Sequence, residues 1–198
     1  MTSKGSSKER SRRTIIYGSD EVIMKKLINR LKALGYHISA AESCTGGLVS
    51  KLLTDVSGAS EVFDCAVTTY SNEAKMKLLG VKKETLDVYG AVSEECAKEM
   101  ASGVLALSHA DIAVSVTGLA GPNGDGSGLP VGTVCIGVAT KDKVGASTFV
   151  FAGSRTQIRK LSAKMACQLV FDELGVGGKN KSVIRKKSKK TIDKKPNR

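Results

Sequence analysis

Apolar positions repeat at helical spacing in two stretches that are bounded by cap signals. In Asp20–Leu34 apolar residues recur every three or four positions, and Gly35 follows as a stop signal. Ser154 forms a capping-box pattern with Gln157, and the periodic segment behind it runs to about Leu174. These patterns predict a long helix near each end of the folded region.

Shorter helices are predicted between these two. Ser93 is an expected N-cap, because Glu94 and Glu95 place negative charge in the first turn that would follow it. Two further segments, Thr45–Thr54 and Glu73–Leu79, carry shorter helical patterns.

Runs of apolar and β-branched residues between the helices predict five strands. They cover Tyr36–Ala41, Glu61–Tyr70, Asp111–Val116, Val131–Ala139 and Ser147–Phe151, with a hairpin turn around Lys141–Gly145. Strands that alternate with helices predict an α/β fold, a single layered domain in which helices flank a mixed β-sheet.

Charge divides the chain into a near-neutral body and two basic ends. The 198 residues carry a net charge of +12. Residues 1–13 hold five basic residues and one acidic residue, and residues 179–198 hold ten basic residues and one acidic residue. We therefore predict disordered basic tails at 1–13 and 179–198 around one folded domain at 14–178. The run RKKSKK in the second tail is compatible with a solvated segment, a nuclear signal or a weak polyanion-binding arm.

Composition narrows the class of protein. No run of 18 apolar residues occurs, so we expect no membrane partner, and the absence of a secretory signal favours the cytoplasm over secretion without deciding against nucleus or organelle. The scattered cysteines and two histidines predict reduced thiols, no metal site and no cofactor. Four of the cysteines fall within predicted helices or strands and are expected as small core residues: Cys65, Cys96, Cys135 and Cys167.

The segment AESCTGG at 41–47 is the first candidate for chemistry. It follows a predicted strand and opens a predicted helix, so backbone N–H groups there can hold a phosphate or an oxyanion. The alternative is that Ser43 or Thr45 only caps the helix. Cys44 is intrinsically a better nucleophile than Ser43, and adjacent residues of an extended segment point in opposite directions, so one of the two faces the ligand.

Two more segments lie where predicted strands end. Thr117–Pro122 begins a loop in which five of the residues 118–128 are glycine, so a ligand can approach its backbone closely. The loop lacks the residue order of a phosphate-binding P-loop and is otherwise a flexible connection. Tyr70 and Lys75 lie in the segment TTYSNEAK, and a lysine with a lowered pKa can serve as the base for a serine.

Five segments in this order resemble one known family. AESCTGG, TYSNEAK, GAVSEE, VTGLAGP and PVGT are similar in sequence and spacing to the CinA carboxy-terminal domain, which also occurs alone as the nicotinamide-nucleotide amidase PncC. The resemblance covers roughly residues 20–174. It implies a metal-independent amidase that converts nicotinamide mononucleotide to nicotinate mononucleotide and ammonia.

The resemblance also implies roles for individual residues. Ser43 resembles the nucleophile, Lys75 the group that activates it, and Tyr70 a member of the same hydrogen-bonded site. The positions that resemble substrate-binding residues are Thr45, Gly46, Thr117, Gly118, Ala120, Gly121 and Arg155. The chain departs from the family at Ser154, where Asp is common, and residues 125–129 lack charges that many members carry.

Two further expectations concern partners. Relatives of this domain self-associate, so a homodimer is expected. The alternative to an enzyme is a CinA-like binding module without turnover, tethered by its basic tails to nucleic acid or to an acidic partner. Retention of Ser43, Tyr70, Lys75 and Arg155 favours the enzyme.

Overall fold

The structure is a computed structural model that describes residues 20–175. The predicted tails, together with residues 14–19 and 176–178 of the predicted domain, lie outside the described residues. The helices are α1 (Asp20–Leu34), α2 (Leu48–Thr54), α3 (Asn72–Leu79), α4 (Lys83–Tyr89), α5 (Glu94–Leu107) and α6 (Arg155–Glu173), and a 3-10 helix covers Ala59–Glu61. The strands are β1 (Ile38–Glu42), β2 (Phe63–Thr68), β3 (Ile112–Gly118), β4 (Thr133–Thr140) and β5 (Lys143–Val150).

The five strands form one mixed sheet in the order β2-β1-β3-β4-β5. β1 pairs in parallel with β2 and β3, whereas β4 pairs antiparallel with β3 and with β5. The carboxyl ends of β1, β2 and β3 therefore meet at one edge of the sheet, where α/β proteins commonly bind ligands. This architecture confirms the predicted α/β class.

The pairing of β1 with β2 contains one extra residue. Ile38 pairs with Phe63 but Ser39 pairs with Cys65, so Asp64 has no partner of its own in β1. The Asp64 carboxylate instead accepts a hydrogen bond from the His109 N–H at 2.8 Å. This bulge lies at the end of β2 that is remote from Thr68.

Helices cover both faces of the sheet. Alternate residues of the strands face opposite sides, so the sheet has two apolar faces. The core cluster that includes Ile112, Val114 and Val116 also contains residues of α1, α2 and α6. The second cluster, which includes Ala113, contains residues of α3 and α5.

The structure moves the start of one helix and adds another. α2 begins at Leu48 rather than Thr45, because Gly46 and Gly47 adopt left-handed backbone angles, with φ of 56° and 96°. α4 carries no predicted pattern, and no side chain caps its start at Lys82. Cys65 is a further correction, since it lies half-buried on the edge strand β2 rather than in the core.

Within residues 20–175, no helix combines the length and the apolar character needed to cross a membrane.

Candidate active site

Ser43 and Lys75 meet at the carboxyl edge of the sheet. Ser43 directly follows β1, and its N–H donates to the Val116 carbonyl of β3 at 2.9 Å. Lys75 lies in the first turn of α3, whose start is capped by the Ser71 hydroxyl. The Lys75 Nζ donates to Ser43 Oγ at 3.1 Å and to the Thr69 carbonyl oxygen at 2.9 Å. Two neighbouring strand ends thus bring together residues that are 32 positions apart.

Burial changes the acid–base behaviour of Lys75. The residue is 1% exposed, and desolvation lowers the pKa of its amine below the ordinary value of 10.5. No described carboxylate forms an ion pair with Lys75. The neutral amine is therefore more populated than in a surface lysine, which suits a group that must accept a proton.

Cys44 lies in a different environment from Ser43. Its side chain is 6% exposed and belongs to the core cluster on the α1, α2 and α6 face. Burial is the main cause that raises its pKa to about 11, although the Arg159 and Lys75 charges oppose the shift. The thiolate is consequently rare at neutral pH. The hydrogen bond from Lys75 goes to the hydroxyl and not to the thiol.

Glu42 occupies the start of α2. Its carboxylate is 1% exposed and accepts hydrogen bonds from the N–H groups of Gly47, Val49 and Ser50 at 2.9 to 3.1 Å. The Ser50 hydroxyl donates to the same carboxylate at 2.6 Å. The prediction that this helix start binds an external anion is therefore wrong, because an internal anion already takes those donors. Neither Ser43 nor Thr45 caps the helix.

Tyr70 and Arg155 form a second contact at the same edge. The Arg155 guanidinium donates to Tyr70 Oη at 3.0 Å and to the Gly121 carbonyl oxygen at 2.7 Å. Arg155 is the first residue of α6, whose start carries the predicted Ser154 capping box. The three segments that the sequence singled out therefore converge, since Tyr70 follows Thr69, a direct partner of Lys75.

The other predicted binding positions surround this centre. Thr45 is fully buried, and its hydroxyl has no described hydrogen-bond partner. Thr117 ends its strand with the hydroxyl donating to the Ala91 carbonyl oxygen at 2.7 Å. A Cβ at Gly118 would lie 2.6 Å from the Thr133 carbonyl oxygen, so only glycine fits this close approach of β3 to β4. Ala120 is buried beside them.

Sequence reasoning missed two residues of the site. Thr69 supplies the carbonyl oxygen that holds Lys75, a main-chain role that leaves little trace in side-chain identity. Arg159 donates from Nε to the Cys44 carbonyl oxygen at 2.9 Å and from Nη2 to the Thr45 carbonyl oxygen at 2.6 Å. The available signal was its spacing, because Arg159 lies four residues after Arg155 on the same helix and thus on the same side.

Other features lie apart from this centre. A groove of about 670 Å³ between α1, α2 and α6 contains none of the residues discussed so far. Its walls include apolar Met24 and Leu52 together with charged residues of both signs. Among residues 20–175 no group of three or more metal-ligating side chains is found. The chemistry that these residues support on their own is nucleophilic attack by a hydroxyl beside an amine base.

Known proteins share both the sequence and the architecture. A family model described as the CinA C-terminal domain matches residues 20–174. A CinA-like protein of Syntrophomonas wolfei is 46% identical over 173 residues, which cover 87% of this chain and 42% of that protein. A competence-damage inducible protein of Caldicellulosiruptor saccharolyticus is 50% identical over 156 residues, covering 78% of this chain and 38% of the relative. The chain thus matches well under half the length of these relatives.

Solved structures agree with the fold. The competence damage-inducible protein A of Klebsiella pneumoniae superposes with a TM-score of 0.78 at 35% identity, covering 80% of this chain and 98% of its own. The competence/damage inducible protein CihA of Agrobacterium tumefaciens gives a TM-score of 0.76 at 38% identity, covering 82% of this chain and 99% of its own.

Proposed function

The chain belongs to the family of CinA C-terminal domains, and from this membership and the Ser43–Lys75 contact we propose that it is a nicotinamide-nucleotide amidase. The reaction is hydrolysis of the carboxamide of nicotinamide mononucleotide to nicotinate mononucleotide and ammonia. The observation that carries the proposal is the 3.1 Å hydrogen bond between a buried lysine amine of lowered pKa and a serine hydroxyl.

The first half-reaction forms an ester with the enzyme. Ser43 Oγ bonds to the amide carbon while its proton passes to the neutral amine of Lys75, and the carbonyl oxygen becomes an oxyanion. The oxyanion then re-forms the carbonyl, the C–N bond breaks, and the departing nitrogen takes the proton from Lys75 and leaves as ammonia. Lys75 ends this half-reaction neutral.

The second half-reaction returns the free enzyme. Lys75 takes a proton from water as the water oxygen bonds to the ester carbon, and the tetrahedral intermediate then collapses. The bond to Ser43 Oγ breaks, and Lys75 returns the proton to that oxygen. The products are the carboxylate, after loss of its proton to solvent, and an unmodified Ser43. No change of oxidation state occurs, so the chain needs no redox partner.

Arg155 supplies the group that we assign to the substrate phosphate. Its two described hydrogen bonds, to Gly121 and Tyr70, leave further N–H donors of the guanidinium for an anion. Tyr70 is 64% exposed, so its ring is open to a ligand at this edge. The start of α2 is not assigned to the phosphate, because Glu42 fills it.

Ammonia release by the purified full chain tests the proposal. Nicotinamide mononucleotide, nicotinamide riboside and nicotinamide are offered as substrates, with and without a chelator. We expect ammonia from the mononucleotide, undiminished by chelator, and much slower turnover of the two compounds that lack a phosphate. Absence of ammonia from every substrate would instead support the non-catalytic binding module.

A further inference from the structure

Arg159 grips the turn that follows the Ser43 side chain. We define the Ser43 turn as residues Ser43–Gly46, closed by a hydrogen bond from the Gly46 N–H to the Ser43 carbonyl oxygen at 3.1 Å. The guanidinium of Arg159, on α6, donates to the next two carbonyl oxygens, those of Cys44 at 2.9 Å and Thr45 at 2.6 Å. A Cβ at Gly46 would lie 3.2 Å from Nη2, so glycine leaves the guanidinium its place.

These two hydrogen bonds fix the direction of the peptide groups. A trans peptide is planar, and its N–H points opposite to its carbonyl. The carbonyl of Cys44 and the N–H of Thr45 belong to one peptide group, so the Thr45 N–H points away from Arg159. The Thr45 carbonyl likewise directs the Gly46 N–H away, and that group donates to Ser43.

Two N–H groups of the turn are left without a protein acceptor. In the described part of the chain, neither the Cys44 nor the Thr45 N–H donates to any backbone or side-chain oxygen, whereas the Ser43 N–H donates to Val116. The next donors along the chain are committed to Glu42. The only uncommitted N–H groups of the Ser43 turn are therefore the two that directly follow the serine.

We infer that Arg159 is a positioning residue that orients the Cys44 and Thr45 N–H groups to bind the oxyanion formed when Ser43 attacks an amide. The inference rests on the proposed function. Donors that are oriented before the reaction stabilise developing charge without reorganisation, and the loss of one such donor costs about 10²- to 10³-fold in kcat. Hydrogen bonds to the carbonyls also polarise the same peptide groups, which strengthens their N–H donors.

Three variants test this role: Arg159→Met, Arg159→Lys and, as matched control on the same helix, Lys160→Met. Lys160 lines the groove between α1, α2 and α6 and contacts none of the residues of the Ser43 turn. We expect Arg159→Met to lower kcat by about 10²-fold with KM changed by less than about threefold. Arg159→Lys should recover part of that loss, and Lys160→Met should match the parent chain.

A thioamide substrate distinguishes oxyanion binding from a general disturbance of the fold. Sulfur accepts hydrogen bonds more weakly than oxygen, so an enzyme with oriented donors prefers the amide to the thioamide of the same nucleotide. We expect this preference to shrink by at least tenfold in Arg159→Met, while free guanidinium restores part of it. An equal loss of turnover for both substrates would overturn the inference.

A serine-reactive fluorophosphonate separates this inference from the proposed function. The probe phosphonylates Ser43 with release of fluoride, and its P–O oxygen uses the same donors whatever the natural substrate is. We expect labelling of the parent chain and of Lys160→Met at equal rates, and slower labelling of Arg159→Met and of Gly46→Ala, which displaces the guanidinium without removing it. Slow labelling of Arg159→Met alone, with Gly46→Ala at the parent rate, counts against the inference. Equal labelling of all chains overturns it even if the amidase reaction is found, whereas slowed labelling of both variants upholds it even if no pyridine amide is hydrolysed.

Discussion

Ser43 and Cys44 are neighbours in the chain, yet their side chains meet opposite environments. The hydroxyl accepts a hydrogen bond from Lys75, whereas the thiol packs into the apolar core with its pKa raised to about 11. At a strand end, residue alternation alone decides which of two adjacent groups faces the open edge of the sheet. Sequence reasoning could state that only one of them faces the ligand, but the direction depended on the sheet around them.

Paired alanine variants test this choice. We expect Ser43→Ala to lose at least about a thousandfold in ammonia release, because no nucleophile remains beside Lys75. Cys44→Ala should keep turnover within a few fold and lose roughly 1 kcal/mol of stability from the small core cavity. The two rates are measured on the mononucleotide at one pH. A chain that tolerates the serine change but not the cysteine change would contradict the assignment.

Lys75 ties activity to pH. The neutral amine is the base, so kcat/KM should rise as pH increases through the lowered pKa of Lys75 and then level off. A rate–pH profile of the parent chain measures this directly. A flat profile from about pH 6 to 9, with chemistry shown to limit the rate, would exclude Lys75 as the base.

The same amine makes stability depend on pH with a definite sign. Between the lowered pKa in the folded chain and the ordinary 10.5 of the unfolded chain, only the unfolded state holds the proton. Folding therefore gains stability as pH rises through that window. The free energy of unfolding of the parent chain minus that of Lys75→Met should increase with pH there. A difference that stays constant or falls would contradict the burial argument.

At the scale of elements, a carboxylate sets the start of α2. Glu42 ends β1 and reaches forward to three N–H groups, so strand and helix are joined across the Ser43 turn by one side chain. The turn is thus held on both sides, by Glu42 through N–H groups and by Arg159 through carbonyl groups. The geometry of Ser43 follows from both elements that flank it.

Glu42→Gln measures this link. The amide keeps the shape but turns an NH₂ toward backbone donors, so we expect a loss of about 2 to 3 kcal/mol in urea unfolding. Ser50→Ala, the control, removes one hydroxyl donor from the same carboxylate and should cost about 1 kcal/mol. Equal stability of Glu42→Gln and the parent chain would show that the helix start does not depend on this charge.

Elements differed in how well the sequence predicted them. α1 has the predicted bounds Asp20–Leu34, and the Ser154 capping box is confirmed, because both depend on local spacing and local hydrogen bonds. α4 was missed, since its short segment has no side-chain cap and is held by packing beside α5. The N-terminal boundary of α2 was wrong because the cap comes from five residues upstream of Gly47.

At the scale of the whole molecule, the charge of the chain lies away from its candidate site. Of the net charge of +12, the segment 179–198 contributes +9 from ten basic residues and one acidic residue. The segment 14–178 has 16 basic and 17 acidic residues, a net charge of −1. The three segments of the site could be predicted from sequence because each contains its own motif. Their convergence, and the role of Arg159 in it, required the order of the strands.

Removing both basic segments should separate the two roles of the chain. A variant that spans residues 14–178 is expected to keep the ammonia-releasing activity of the full chain. It should lose binding to heparin or to DNA, and the binding of the full chain should weaken steeply with salt. Fluorescence anisotropy at several salt concentrations measures this binding. Loss of amidase activity on removal of the segments would place part of the function outside the domain.

The extra residue in β2 limits how the length of this chain can vary among descendants of one gene. Loss of Asp64 would draw everything downstream along the strand by about 3.3 Å, a distance similar to the 3.1 Å that joins Lys75 to Ser43. The hairpin turn at Lys141 and Asp142 lies at the opposite edge of the sheet and leads back into β5. Insertions and deletions should therefore accumulate at that turn during evolution and be purged from β2.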